Sequence, residues 1–257
     1  MGLLIPSYDA LSQQSLLDYV DLNSPDMKTA EMTSDELLTL LKAPAAAQPA
    51  DLTGKRLSGL DLSGFDLSGV NLRLAKLNHT KLNGARLNGA ILNQAWMVDA
   101  DLSDANLTKA SLLSTQMQRA KFDGADLSGA RITGDLTGAT MVGAKLVGVD
   151  ASADMRNQSM GLTRGILTSA NLKGADLRGS NLSRTNLEFA NLTNANLTDC
   201  NLARAQLAGA NLTGAILTNA DLTGADLNTA LLSDDAALAQ ALNLDKSFNL
   251  NRARRAP

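Results

Sequence analysis

Ala220-Asp221-Leu222-Thr223-Gly224 repeats the plan of Ala170-Asn171-Leu172-Lys173-Gly174 and of Ala100-Asp101-Leu102-Ser103-Asp104, and the interval at which that plan recurs decides the fold. The period is five. With the Leu position written i, successive centres run from Leu52 to Ile132. After a one-residue deletion they continue through Leu136, Met141, Leu146 and Ala151, and they run again from Leu162 to Leu232, with Asn157 in the gap. Of these 37 slots, 30 hold Leu at i and 23 hold Ala at i−2. A period of five matches neither the 3.6 of a helix nor the 2 of a strand, so either element would scatter these leucines over every face. The chain must turn every five residues. Glycine agrees: 17 of the 20 sit at i+2, where a tight corner between short extended pieces takes a positive φ without a Cβ penalty. Positions i and i−2 are expected to point inward, and i−1, i+1 and i+2 outward.

The A-(D/N)-L-x-x pattern over residues 51 to 232 resembles the pentapeptide-repeat family. The resemblance implies an all-β solenoid, a right-handed quadrilateral β-helix with four pentapeptides per coil. Asp61, Lys81, Asp101 and Lys121 stand 20 residues apart at i−1, so that coil would bring opposite charges onto neighbouring rungs. Each exposed pair contributes at most ~1 kcal/mol and speaks for the register more than for stability. Stability is expected from stacked leucines at roughly 1.5 to 3 kcal/mol each. About nine coils at ~4.8 Å would make a rod on the order of 45 Å long, whose ends need covering.

Three parts follow. Residues 1 to 50 read as a helical cap and linker, with helical spacing in Leu11, Leu16, Tyr19 and Val20, and a second helix from Ser34 to about Lys42. Thr33 and Glu36 form a capping box, and Pro44 ends that helix. Lys55, Leu60, Phe65 and Val70 replace Ala at i−2 in the first coil, which predicts a flared coil covered by the N-terminal helices. Residues 233 to 257 read as a short helix, N-capped by Ser233 and running through Leu242, followed by a basic tail with Arg252, Arg254 and Arg255. In relatives a C-terminal element often mediates dimerisation, so this end is either a plain cap or a homodimer interface. Between about 152 and 161 the repeat breaks and a loop is expected; Met155 and Met160 either fold over Val142 and Val147 or belong to a tolerated insertion.

No motif points to catalysis. His79 is the sole histidine and sits at an outward corner, Cys200 takes the place of a core Ala, and the recurrent carboxylates follow the i−1 preference of the repeat. The glycines obey the five-residue period and not a nucleotide fingerprint, so no cofactor or metal is expected. A single cysteine and the lack of a recognisable export signal or apolar span lead to a cytoplasmic expectation with no membrane association, though a signal-less secretion route stays open.

Within the family, acidic rods that mimic DNA engage type II topoisomerases, so inhibition or protection of gyrase is one reading. Charge weakens it: residues 51 to 232 hold 17 basic against 16 acidic side chains, and the overall −3 arises in the first 50 residues. Direct nucleic-acid binding is disfavoured because the basic residues are dispersed. The outward pattern does break at Ile91 and Trp96 (i−1) and at Val98 and Leu113 (i+1), on adjoining faces of neighbouring coils. This apolar patch marks a non-catalytic scaffold for an unidentified protein partner, unless the N-terminal segment covers it. An effector or adaptor role in a bacterial secretion system is a third reading.

Overall fold

The computed structural model describes residues 20–42, 49–154, 163–232 and 238–255. The repeat builds a solenoid in which each extended piece pairs in parallel with the piece one coil away. Four ladders run along it. The first face carries Asp51, Asn71, Ile91, Ser111 and Arg131 in register; the second Arg56, Lys76, Trp96 and Gln116; the third Asp61, Lys81, Asp101 and Lys121; the fourth Asp66, Arg86, Asn106 and Asp126. The hydrogen bonds explain the period: Leu102 N–H donates to Lys121 O at 2.7 Å in the next coil, Asp101 N–H to Thr80 O at 3.0 Å in the previous one, and Ala105 N–H closes the corner onto Leu102 O at 3.0 Å. Each pentapeptide thus spends its amides on two coils and one turn, and the described Leu centres of the repeat are buried, with Ala beneath the corners. The Leu stack removes the most apolar surface from water and carries the stability.

Corners at i+2 take positive φ whether or not they are glycine. Gly84 has φ +64°, and Leu74, His79, Arg184 and Arg204 lie between 56° and 61°. Gly134 departs from the expected pattern. It lies within β2 (Arg131–Asp135), which pairs with β1 (Ser111–Gln116) around a register shift between Leu113 and Thr115. Its φ is not left-handed, and a Cβ there would collide with the Thr115 carbonyl oxygen. The one-residue deletion has removed the corner and pressed two backbones together, so this glycine is a close-approach residue.

From Gln116↔Asp135 to Arg131↔Asp150 the ladders advance by 19 residues, and from Asp135↔Ile166 to Asp150↔Asn181 by 31. Among the described residues Ile166 therefore follows Asp150 in the order of the faces, and the slots assigned to Asn157 and Leu162 lie outside the described residues. Asp154 N–H to Thr163 O and Gly165 N–H to Ala151 O, both 2.9 Å, close the base of this interruption. Met155 and Met160 lie outside the described residues.

At the N-terminal end α1 (Pro25–Lys28) and α2 (Ser34–Leu41) pack on the first two coils. The Thr33–Glu36 capping box forms, and α2 buries Leu37 in the core, with Met32, Leu41, Leu60 and Phe65 packed around it. The helix expected over Leu11 to Val20 falls almost wholly outside the described residues. The helix expected from Ser233 through Leu242 falls mostly outside the described residues, Leu238 being helical and buried against the last coil, whereas the expected basic tail is not a solvated one. Leu242, Phe248 and Arg254 pair in parallel with Asp221, Asp226 and Leu231, and Leu231–Leu232 (β3) joins Arg254–Arg255 (β4). Each piece is six residues long, the extra residue being taken up by a 3-10 turn (Leu244–Lys246 and Leu250–Arg252) entered through left-handed Asn243 and Asn249. Those asparagine amides donate to Asp221 and Asp226 at 3.0 and 2.7 Å. The three arginines thus stand on a rung of the solenoid.

Candidate protein-binding surface

The fold brings three of the four candidate patch residues to one edge. Ile91 opens a first-face piece and is 37% exposed, Trp96 opens the next piece on the second face and is half-buried, and Leu113 lies on the first face one coil further on, partly exposed. Val98 does not belong to the surface. It is 1% exposed, and its N–H donates to Asn78 Oδ1 at 3.0 Å, while Asn78 Nδ2 reaches the Met27 carbonyl at 3.2 Å. The i+1 column of the second face, Ser58, Asn78, Val98 and Gln118, is buried throughout, and α1 meets it at Asn78. The sequence pattern missed Leu74, which is 46% exposed at the corner between the first and second faces, one coil below Gln94. Its signal was a large apolar side chain at a position used for glycine.

The carboxylates serve the fold. Asp61 Oδ1 accepts the Ser63 hydroxyl at 2.6 Å and its amide at 3.2 Å, and the same arrangement recurs at Asp66 and Ser68 and at Asp221 and Thr223. These hydroxyl bonds, followed by the backbone amides at Asp61 and Asp66 and by the Asn243 amide and then the backbone at Asp221, hold the three carboxyls below the usual aspartate range. Across rungs, Lys81 meets Asp61 at 3.4 Å, Arg86 meets Asp66 at 3.0 Å, and Arg119 grips Asp99 with two bonds of 2.8 and 2.7 Å. Arg131 pairs with Asp150. His79 Nδ1 lies 3.9 Å from Asp99, well exposed. Cys200 donates to Leu177 O at 2.8 Å, as the i−2 hydroxyls of Thr80 and Thr115 do to Leu57 and Leu92, and burial pushes its thiol up to about 12. A buried neutral thiol with that partner is a core residue.

Sorting charges by face settles their distribution. On the fourth face Asp66, Asp126, Asp176 and Asp199 stand against Arg86, Lys109, Lys145 and Arg178; on the first, Asp51, Asp150 and Asp221 stand against Arg73, Arg131, Arg184 and Arg204. The sustained negative field that imitation of a phosphate backbone calls for is missing from both. Among the described residues no group of His, Cys, Asp and Glu could hold a metal, and no helix is long and apolar enough to cross a membrane.

The family described as Pentapeptide repeats matches in 8 copies, over residues 56–94, 97–134, 167–199 and 195–234. Among solved structures, HetL, a pentapeptide repeat protein involved in heterocyst differentiation regulation from the cyanobacterium Nostoc, is 30% identical, covering 87% of this chain and 94% of its own, with a TM-score of 0.49. The plasmid-mediated fluoroquinolone resistance protein QnrB1 is 18% identical over 80% of this chain and 92% of its own, with a TM-score of 0.44. A pentapeptide repeat protein of the Arabidopsis thaliana thylakoid lumen is 21% identical over 75% of this chain and 74% of its own, with a TM-score of 0.24. No curated protein matches.

Proposed function

The chain belongs to the pentapeptide-repeat family, and from that premise we propose that it is a non-catalytic scaffold, a right-handed quadrilateral rod that binds a protein partner along the edge formed by Leu74, Ile91, Trp96 and Leu113. The observation that carries this reading is the grouping itself: four large apolar side chains, all at least partly exposed, gather where the first face meets the second across neighbouring coils. An amphipathic indole with aliphatic neighbours supplies the apolar centre of a binding hot spot, and truncating such an anchor costs at least ~2 kcal/mol of binding. The test is an affinity capture from the native cells with the wild-type chain and with Trp96→Gln/Ile91→Asn and Leu74→Asn variants. Asn is tolerated at a left-handed corner, so Leu74→Asn separates surface chemistry from backbone strain. Loss of a captured partner at an unchanged melting temperature supports the assignment; an identical set of partners with all variants overturns it.

A further inference from the structure

Charged side chains that meet in register one rung apart on this solenoid are of opposite sign at Asp61/Lys81/Asp101/Lys121, at Asp66/Arg86, at Asp99/Arg119 and at Arg131/Asp150. Among the described residues two places break that rule. The first is Arg56 on Lys76, on the second face. There an acidic piece of the chain lies across the ladder: Glu31 pairs with Lys55 at 2.7 Å and Arg56 at 3.5 Å, and Asp26 pairs with Lys76 at 3.3 Å. The Glu31 amide adds a strand-like bond to the Arg56 carbonyl at 2.9 Å, and the Met27 carbonyl takes the Asn78 amide. Two carboxylates and one apolar side chain, Asp26 and Met27 on α1 and Glu31 on the strand-like piece that follows it, thus resolve a stacked pair of cations.

The second place is Arg184 beneath Arg204, at the corner between the first and second faces. Arg184 N–H donates to Ala203 O at 2.9 Å, which sets the two corners in register. Among the described residues neither guanidinium has an ion pair or hydrogen bond. Around them the surface is more cationic still. Arg164 reaches the Arg184 carbonyl at 3.2 Å and Gln206 Oε1 at 2.9 Å, and Lys246, its ammonium donating to Asn243 Oδ1 at 2.8 Å, stands beside the corner column, its carbonyl accepting from Gly224. The nearby carboxylates are committed: Asp221 to Thr223 and Asn243, Asp226 to the Asn228 amide and Asn249. An apolar neighbour is present too. A methyl on Gly224 would lie 3.4 Å from Arg204 Cγ and 3.6 Å from Phe248 Cε2, so the arginine stem and the phenylalanine ring border one point, and Phe248 is 63% exposed.

We propose that the Arg184–Arg204 ridge is a docking site for an acidic, extended segment of a protein partner, with carboxylates on the two guanidinium forks and an apolar side chain against Phe248. It repeats, in trans, the solution that Asp26, Met27 and Glu31 provide in cis for Arg56 and Lys76. Arginine forks match carboxylate geometry and give up less hydration than lysine would. The ridge is short, because Asn181 and Asn201 flank it on the first face, Asn186 and Gln206 on the second, and both ladders turn acidic one rung further on at Asp221 and Asp226, which suits a short acidic segment better than a continuous phosphate chain. The ridge lies four rungs from Trp96 along the second-face ladder, about 20 Å away, and its assignment does not depend on the apolar edge.

The test is fluorescence anisotropy with a labelled nonapeptide of glutamate, phenylalanine and glycine, its glutamine counterpart, and a labelled oligothymidylate. Glycine is the repeat's own residue at these corners, so Arg184→Gly/Arg204→Gly removes the cations while easing the left-handed backbone. The expected result is binding of the acidic peptide that weakens with salt, at least about ten-fold weaker binding to the double glycine variant, and partial weakening by Phe248→Ala. The melting temperature of the double variant should hold or rise, which a purely structural role for the arginines would not allow. Equal binding by the double variant, equal binding of the glutamine peptide, or tighter binding of the oligothymidylate would overturn the proposal.

Discussion

Gly134 and Gly84 give a paired experiment in which two rules for glycine predict opposite orders. Gly84 sits at an ordinary corner with φ +64° and open space where a Cβ would go. Replacing it with Ala costs the left-handed penalty of about 1 to 2 kcal/mol, offset by about 0.4 to 1 kcal/mol from the stiffer unfolded chain. The net loss should be about 1 kcal/mol or less. Gly134 has no left-handed φ, so backbone preference alone makes Ala harmless or mildly stabilising there. The structure says otherwise. Its Cβ would strike the Thr115 carbonyl oxygen and come within 2.8 Å of Thr115 N and 3.1 Å of Thr115 C. These are backbone atoms of paired strands and cannot swing aside. Relief requires β1 and β2 to separate, straining the flanking bonds of Met117 N–H to Asp135 O at 2.7 Å and Ile166 N–H to Gly134 O at 2.9 Å. Overpacking together with two weakened backbone bonds puts the cost of Gly134→Ala near ~3 kcal/mol. Urea unfolding followed by circular dichroism measures both variants. If Gly134→Ala proves as stable as Gly84→Ala, the close-approach account of the deletion is wrong.

Other outcomes follow from the same contacts. Gly209→Ala should fall between those two, since its Cβ would meet the Phe189 ring at 2.5 and 2.6 Å and that exposed ring can rotate away; the combination with Phe189→Ala should recover the Gly84→Ala level in the same urea assay. Leu102→Ala, at a fully buried centre, should lose about 2 to 5 kcal/mol, read as a shift of the urea midpoint. The Cys200 thiol, pushed up to about 12 by burial, should resist iodoacetamide at pH 8 until the chain is unfolded. Because its folded value lies above the unfolded one, its contribution is complete below the unfolded value near 9.0 and fades as pH rises toward 12, so Cys200→Ala should flatten the alkaline decline in melting temperature. Glu31 shifts the other way, its carboxyl lowered first by Lys55 and then by Arg56. Its support for N-terminal docking is therefore present above the usual glutamate value of 4.5 and lost as pH falls through the lower folded one, and Glu31→Gln should speed proteolysis around residues 24–41 at neutral pH but not in acid.

The inward half of this chain was legible because it is periodic. Leu at i, Ala at i−2 and the Thr33–Glu36 box follow from local spacing, the 20-residue register is what the family resemblance implied, and the ladders and buried leucines have that geometry. What escaped the sequence was set by partners distant along the chain or by a change of period. Val98 looked outward by position, yet it is buried and its amide is held by Asn78, which in turn binds Met27, 51 residues away along the chain. The ladders advance by 31 residues across the interruption, a step that a five-residue count does not foresee, because a period says nothing of the length of chain between two rungs. The final rung was hidden by counting in fives. Leu242-Asn243-Leu244 and Phe248-Asn249-Leu250 recur at six, and the added residue is absorbed by a left-handed asparagine that a search for glycine corners passes over.

The division of labour in the repeat also explains where function was hard to read. Residues at i and i−2 answer to the neighbouring coils, and an Asp or Asn at i−1 answers to its own turn, as Asp61 does to Ser63. Neither set carries information about a partner. Freedom remains at the corners and at those i−1 and i+1 sites that give up the turn-forming side chain, and there the surface departs from its own rule: Leu74 and Arg184 at corners, Ile91 and Trp96 at i−1. Each departure has a cost that the local fold does not return. A bulky corner strains the backbone, an apolar i−1 forfeits the Asx bonds, and Arg184 beneath Arg204 sets like charges one rung apart. Arg56 on Lys76 shows how such a cost is met inside the molecule, through Asp26 and Glu31. The departures with no such compensation among the described residues are the places where the proposed partner would supply it.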